Sequence, residues 1–197
     1  MKTLILLEGV HASGKTSVLS LLKLKGHACI DELFIDVPTT TMFAPQGLCC
    51  ELQWMGAWCA RVSSAVSTMP EDGMLFVDRS PYSAAVYGKN GDHFEPLCAI
   101  IDRLIQEFRE HVQIVFVCLD ASRDKLFARA QERLRRCPER SKYREDNLDW
   151  LSLVMERYTR LDYVWGANKI DTSGLTPVDV CALVETKSSQ DAPRQKT

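Results

Sequence analysis

The sequence predicts an α/β fold: one domain built on a doubly wound parallel sheet of about five strands, with helices on both faces. Three observations predict it. Short unbroken apolar runs, the pattern of strands covered on both sides, recur along the 197 residues. Between them lie stretches with apolar residues at three- and four-residue steps, as amphipathic helices require. The content of 46% hydrophobic and 25% charged residues is that of a folded domain with a core.

Residues 3–7 form the first apolar run, and over residues 16–24 the spacing turns helical. Residues 27–30 read as a weak second strand leading into Asp31 and Glu32. Pro38, Pro45 and Gly47 punctuate a loop before a helix over residues 48–66. Residues 74–77 are a third strand, ending at Asp78. Phe94, Leu97, Ile101, Leu104, Ile105 and Phe108 share one helical face. The clearest strand is 114–119, followed by Arg-rich helical sequence, a helix over 148–163 and a short strand at 169–171. Thr176, Pro177 and Asp179 supply an N-cap, a proline at the first helical position and a first-turn acid. Residues 1–186 therefore read as one domain without repeat or linker, and the polar stretch 187–197 as a disordered tail.

Composition excludes several function classes. Lys plus Arg number 24 against 26 for Asp plus Glu, a net charge of -2, so no nucleic acid or membrane surface is held by bulk charge. No apolar run approaches the ~18 residues of a membrane span. The longest stretch, residues 48–66, is broken by Glu51, Gln53, Gly56 and Arg61. Residues 3–7 are too short for a secretory core segment and run into Glu8. The eight cysteines form no C-x-x-C pair and fall mostly in apolar segments. They read as reduced core residues of a cytoplasmic protein.

Gly9, Val10, His11, Ala12, Ser13, Gly14, Lys15 and Thr16 fit G-x-x-x-x-G-K-[ST] at every fixed position, directly after a strand and before a helix. The glycines let backbone N–H groups wrap phosphate oxygens at a helix N-terminus. Lys15 reaches the β- and γ-phosphates of ATP, and the Thr16 hydroxyl binds Mg²⁺. All eight residues are candidate ATP contacts, His11 through its backbone only. The sheet is thereby expected to be of the P-loop NTPase type.

Nine basic residues fall between Arg123 and Arg144, opposed only by Asp124, Glu132 and Glu139. Arg129 and Arg133 stand one helical turn apart, and arginines closing over a transferring phosphoryl group stabilise its charge. The segment reads as an Arg-rich lid, with Arg129 and Arg133 as ATP contacts. Asp78, Arg79 and Ser80 follow the third strand, at the rim where open α/β sheets bind ligands.

Together these segments resemble the deoxynucleoside kinase family, relatives of the thymidylate kinases, over residues 4–161. Asp78, Arg79, Ser80, Pro81, Tyr82 and Ser83 are similar to the family's (E/D)RS-x-(Y/F/H)-S, and Arg129, Arg133 and Arg135 reproduce its R-x-x-x-R-x-R. The resemblance implies transfer of phosphate from ATP to the 5′-hydroxyl of a pyrimidine deoxynucleoside such as thymidine or deoxycytidine. It implies Glu32 as the base for that hydroxyl, with Asp31 as its competitor, and Arg79 beside the 5′-oxygen. It places Thr16 and Asp78 on Mg²⁺, and Lys15, Arg133 and Arg135 on the transferring phosphate. Gln53 is similar to the glutamine that reads the pyrimidine edge. Trp54, Ala84 and Tyr87 complete the candidate nucleoside contacts, although Trp54 and Trp58 read as core or interface first and as nucleobase-stacking groups second. Apolar helix surfaces point to a homodimer.

The match has gaps. Leu33 stands where the family carries a proline and Val37 where it carries a tryptophan, while Ala84 replaces the aspartate of cytidine-preferring relatives. Alanine there leaves room for thymidine's methyl group. A thymidylate kinase is the rival reading, but residues 31–53 contain no Lys or Arg to meet an acceptor phosphate. A GTP-dependent switch is the other class: Asn168, Lys169, Ile170 and Asp171 fit N-K-x-D, though late in the chain and with no ordinary helix expected after them.

Overall fold

The computed structural model describes residues 1–32, 46–89 and 91–190, and the side chains of all of these except Lys142 and Gln190. Leu33, Val37, Pro38 and Pro45 lie outside the described residues, as do residues 191–197.

The first apolar run becomes β1 (Thr3–Glu8), every residue of it buried. Its alternation still matters. Leu4 and Leu6 point into one core layer and Ile5 and Leu7 into another, so both faces are covered. The chain then runs α1 (Lys15–Leu24), β2 (Ala28–Ile30), α2 (Leu48–Thr68), β3 (Met74–Asp78), α3 (Tyr82–Tyr87) and α4 (Phe94–Arg109). There follow β4 (Gln113–Asp120), α5 (Arg123–Arg136), a 3₁₀ turn (Pro138–Tyr143), α6 (Leu148–Arg160), α7 (Asp162–Trp165), β5 (Lys169–Asp171) and α8 (Pro177–Gln190). The five strands pair in parallel in the order β2-β3-β1-β4-β5.

This order decides where a ligand sits. The chain leaves β1 toward one edge and leaves β3 across β1 toward the other, so a crevice opens beyond the carboxyl ends of β1 and β3. Residues of α1 and α8 cover one face around Val18, Leu22 and Val184. Residues of α2, α3, α4 and α6 cover the other around Trp54, Trp58, Ile101 and Leu151.

The start of α8 is the capping arrangement read from sequence: Asp179 N donates to Thr176 Oγ1 at 3.2 Å while Thr176 N donates to Asp179 Oδ2 at 3.0 Å. Three boundaries differ from expectation. The helix expected over 148–163 stops at Arg160, and α7 begins after Leu161. Short α3, too brief to show periodicity, was invisible in the sequence. The last helix continues through Gln190, past residue 187, because Ser188 turns inward and is fully buried. None of the eight cysteines is in a disulfide, but only Cys98, Cys118 and Cys181 are buried; the others are half-buried. No helix among the described residues is long and apolar enough to cross a membrane.

Candidate active site

The loop after β1 has the backbone its glycines allow. Gly9 has φ 137°, and a Cβ there would lie 2.1 Å from the Leu119 carbonyl oxygen of β4, so no other residue fits. Gly14, at φ 107°, turns the chain into α1, and Ala12 also holds a left-handed conformation at φ 63°. Lys15 is buried and its ammonium donates to Gly9 O at 2.6 Å and Val10 O at 3.0 Å. Burial, reinforced by the charge of Arg79, pushes its pKa down to about 8. Behind the loop, Thr172 Oγ1 lies 3.2 Å from Ser13 O, tying the β5–α8 connection to it.

At the tip of β3, Asp78 is buried, and Thr16 Oγ1 lies 3.5 Å from Asp78 Oδ2. Asp78 Oδ1 has no hydrogen-bond partner among the described residues. Burial raises the Asp78 pKa to about 6, against the pull of Lys15 and Arg79. An orphaned buried carboxylate oxygen beside a hydroxyl is a hard-oxygen donor set that fits Mg²⁺, which takes few protein ligands and completes its shell with phosphate and water.

Arg79 holds φ 76°, a left-handed conformation that a non-glycine residue adopts only when its surroundings impose it. Its N–H donates to Leu7 O at 2.8 Å, its carbonyl accepts from Trp58 Nε1 at 3.2 Å, and its guanidinium lies 4.7 Å over the Tyr87 ring. Arg79 Nε donates to Glu32 Oε1 in a tight ion pair. Burial opposes ionisation of Glu32, but the charges of Arg79 and Lys15 prevail and hold its pKa below the usual carboxylate value. Asp31, on the rim of the larger cavity, pairs with Lys23 at the surface and not with Arg79. Beneath this pair sits Glu8, fully buried, accepting from Ser80 N at 2.8 Å, Ser80 Oγ at 2.6 Å and Tyr158 OH at 2.7 Å. It locks the β1 and β3 ends to α6.

Two adjoining cavities meet here. One of about 610 Å³ runs along the phosphate loop, Asp78, Arg129, Arg133 and Thr172. A narrower one of about 40 Å³ is lined by Gln46, Trp54, Ser83, Tyr87 and Glu145 among others. His11, Glu32, Arg79 and Arg140 line both and form their shared boundary.

The lid departs from expectation at one arginine. Arg129 donates to Thr172 O at 2.8 Å, and Arg133 NH2 lies 2.7 Å from the buried Glu145 carboxylate. Arg135 is 76% exposed and pairs with Glu132 on the outer face of α5. Arg140, on the 3₁₀ turn, takes its place and donates through NH2 to Glu145 Oε1 at 2.9 Å.

Of the nucleoside candidates, Trp54 and Tyr87 line the smaller cavity. Gln53 does not: it is exposed on the outer face of α2. Ala84 is also displaced, wholly buried in the core, while Ser83 and Tyr87 of the same helix face the cavity. Sequence reasoning missed Glu8, Gln46, Arg140, Glu145 and Thr172. Arg140 carried a signal in the lid's charge run, which Glu145 directly follows, but Gln46 and Thr172 carried none. The N-K-x-D stretch forms the edge of the sheet, where Lys169 pairs with Asp120 and Asp162 and Asp171 accepts from Ser173 N at 2.8 Å. None of its residues lines either cavity, although a helix of 14 residues does follow it.

No protein-family model matches the sequence, and no curated protein matches it. Solved structures do. The chain is similar to thymidylate kinase from Candida albicans, at 16% identity and a TM-score of 0.62 over 95% of this chain and 92% of that one. It is similar also to deoxyadenosine kinase from M. mycoides with bound dCTP, at 12% identity and a TM-score of 0.65 over 96% of this chain and all of that one. The same kinase with bound dATP gives 13% identity and a TM-score of 0.63. Across nearly its whole length, then, the chain has the parallel α/β fold of the thymidylate and deoxyadenosine kinases.

Proposed function

We propose that this protein transfers the γ-phosphate of ATP to the 5′-hydroxyl of a deoxynucleoside, thymidine or deoxycytidine first among them. The observation that carries the reading is the Glu32–Arg79 ion pair on the boundary between a phosphate-loop cleft and a smaller adjoining pocket. The donor phosphates lie along the loop amides and the α1 N-terminus, with Lys15 swinging from the loop carbonyls onto the β- and γ-oxygens. Thr16 and Asp78 hold Mg²⁺, which neutralises phosphate charge when bound.

The nucleoside enters the smaller cavity between Trp54 and Tyr87. Glu32, ionised at neutral pH, takes the 5′-hydroxyl proton. The freed oxygen pair attacks the γ-phosphorus, and the bond to the β-phosphate oxygen breaks with its electron pair leaving on ADP. Arg79 orients Glu32 and the 5′-oxygen, while Arg133 and Arg140 exchange Glu145 for the transferring phosphate. Catalysis is then positioning and charge neutralisation.

A neutral acceptor is favoured over a monophosphate because residues 31–53 contain no Lys or Arg to meet an acceptor phosphate. The test is phosphate transfer from ATP·Mg²⁺ to thymidine, deoxycytidine, deoxyadenosine, deoxyguanosine and thymidine monophosphate. Monophosphate formed from a nucleoside, and lost in Lys15→Ala, supports the reading. Diphosphate formed from thymidine monophosphate alone makes the protein a thymidylate kinase. The reading includes a homodimer, with Leu52 of α2 and Ile100 of α4 exposed at 42% and 51%; sedimentation velocity measures it.

A further inference from the structure

One buried charge has no part in the chemistry above. Arg157, on α6, is only 3% exposed and lines neither cavity. Its guanidinium meets backbone and, among the described residues, no carboxylate: NH1 donates to Val86 O and to Gly88 O, both at 2.7 Å. The Trp150 ring lies 5.9 Å from it. Arginine is rarely buried to this extent without an ion-pair partner, because losing water destabilises the charge. An apolar side chain of similar length would fill the same space without that loss, so the two carbonyl bonds call for an explanation.

What those carbonyls flank supplies it. Val86 and Gly88 stand on either side of Tyr87, the last residue of α3. A helix of six residues does not hold itself, and its final carbonyls have no partners within it. Pro81 at its start offers no side-chain cap either. Tyr158, next to Arg157, sets its ring edge-on to Tyr87, with centroids 6.4 Å apart at 76°. From α3, in turn, come two contacts to Arg79. Its NH1 donates to Ser83 Oγ at 3.4 Å, and its guanidinium lies 4.7 Å over the Tyr87 ring. The Tyr87 hydroxyl meets no hydrogen-bond partner among the described residues, so no bond of its own fixes that ring. Its place follows from the backbone that Arg157 grips.

Building on the nucleoside kinase reading, we propose that Arg157 is a positioning residue for the acceptor side of the site. It fixes the end of α3 and, through Ser83 and Tyr87, sets the Arg79 guanidinium against Glu32. The experiment measures steady-state phosphorylation of the nucleoside that wild type uses best, in wild type, Arg157→Met, Tyr87→Leu and the double variant. Arg157→Met should lower kcat/KM for the nucleoside about 10- to 100-fold, the effect of misplacing reacting groups from a distance, while KM for ATP stays within about twofold. Because Arg157 acts through the segment that carries Tyr87, the double variant should lose far less than the product of the two single losses. Arg157→Lys, whose ammonium can donate to both carbonyls, should recover much of the loss.

Single losses that simply multiply in the double variant overturn the proposal. So does a KM for ATP that rises in step with the loss on the nucleoside, which would mark a general loosening of the fold. Thermal melts identify any variant that fails to fold, and Arg157→Gln, too short to reach both carbonyls, then replaces Arg157→Met. A wild-type protein that phosphorylates no nucleoside sinks the kinase reading itself, whereas an active wild type matched in rate by Arg157→Met sinks only the role of Arg157.

Discussion

Glu51 sits in the first turn of α2 with 2% of its surface exposed, and its Oε1 finds no hydrogen-bond partner among the described residues. Burial raises its pKa from 4.5 to about 8, only partly offset by Arg79. The consequence for stability has a definite sign. Below pH 4.5 the acid is protonated whether the chain is folded or not; between 4.5 and about 8 only the unfolded chain releases the proton. Stability therefore falls as pH rises through that window. Glu51→Gln should melt with wild type at pH 4.5 and be more stable at pH 8, by about 1–3 kcal/mol. Denaturant titrations at both pH values check this, and a gap that fails to widen with pH would show that Glu51 ionises freely in the fold. The residue scale also explains one misreading. Trp54, Trp58 and Val62 mark the buried stripe of α2, and one turn back along it lies Glu51, whereas Gln53 falls on the far side. Helical phase held the answer; the motif comparison ignored it.

At the scale of the element, α5 shows the same rule. Arg129 and Arg133 are four residues apart and share a face, whereas Arg135 lies two residues beyond Arg133, on the opposite side. The family spacing marked all three, but the helix presents only two of them to the cleft. Arg140 completes the set because the chain leaves α5 through the 3₁₀ turn and doubles back to Glu145. Arg135→Ala should leave kcat within about twofold, since an exposed ion pair contributes little. Arg140→Ala should lower kcat about 100- to 1,000-fold, the effect of removing one electrostatic contact to the transition state. Steady-state rates at saturating ATP distinguish them, and equal losses in the two variants would return Arg135 to the site. Glu145→Gln should act on the same element differently. By freeing Arg133 and Arg140 it should weaken the lid's internal ties and lower its protection against proteolysis.

For the molecule as a whole, the cavities belong to the sheet order. Parallel pairing of β3 and β4 on either side of β1 brings Asp78 beside Thr16, 62 residues away. Because both α1 and the β3 tip border the larger cavity, where ATP is proposed to bind, ATP·Mg²⁺ should stabilise the entire fold. At 100 times its Kd the gain is about 2.7 kcal/mol, read as a rise in Tm. Removing Mg²⁺ with EDTA, or substituting Asp78→Asn, should shrink that rise. A shift indifferent to both would separate Asp78 from the metal. Core truncation tests the frame itself: Leu6→Ala, at a fully buried position of β1, should cost about 2–5 kcal/mol.

The amino-acid sequence by itself determined what depends on neighbours along the chain. Apolar runs specified the five strands, three- and four-residue spacing specified the long helices, and the glycines and Lys15 specified the phosphate loop. Such features rest on local sterics and periodicity, so they are legible one segment at a time. Only the tertiary structure decided that Glu32 and not Asp31 meets Arg79, that Gln46 and Glu145 wall the smaller cavity, and that Gln53, Ala84 and Arg135 line neither cavity. These outcomes depend on which helix face is buried and which strand ends adjoin. The energy that selects them comes from burial and charge pairing between segments far apart in the chain.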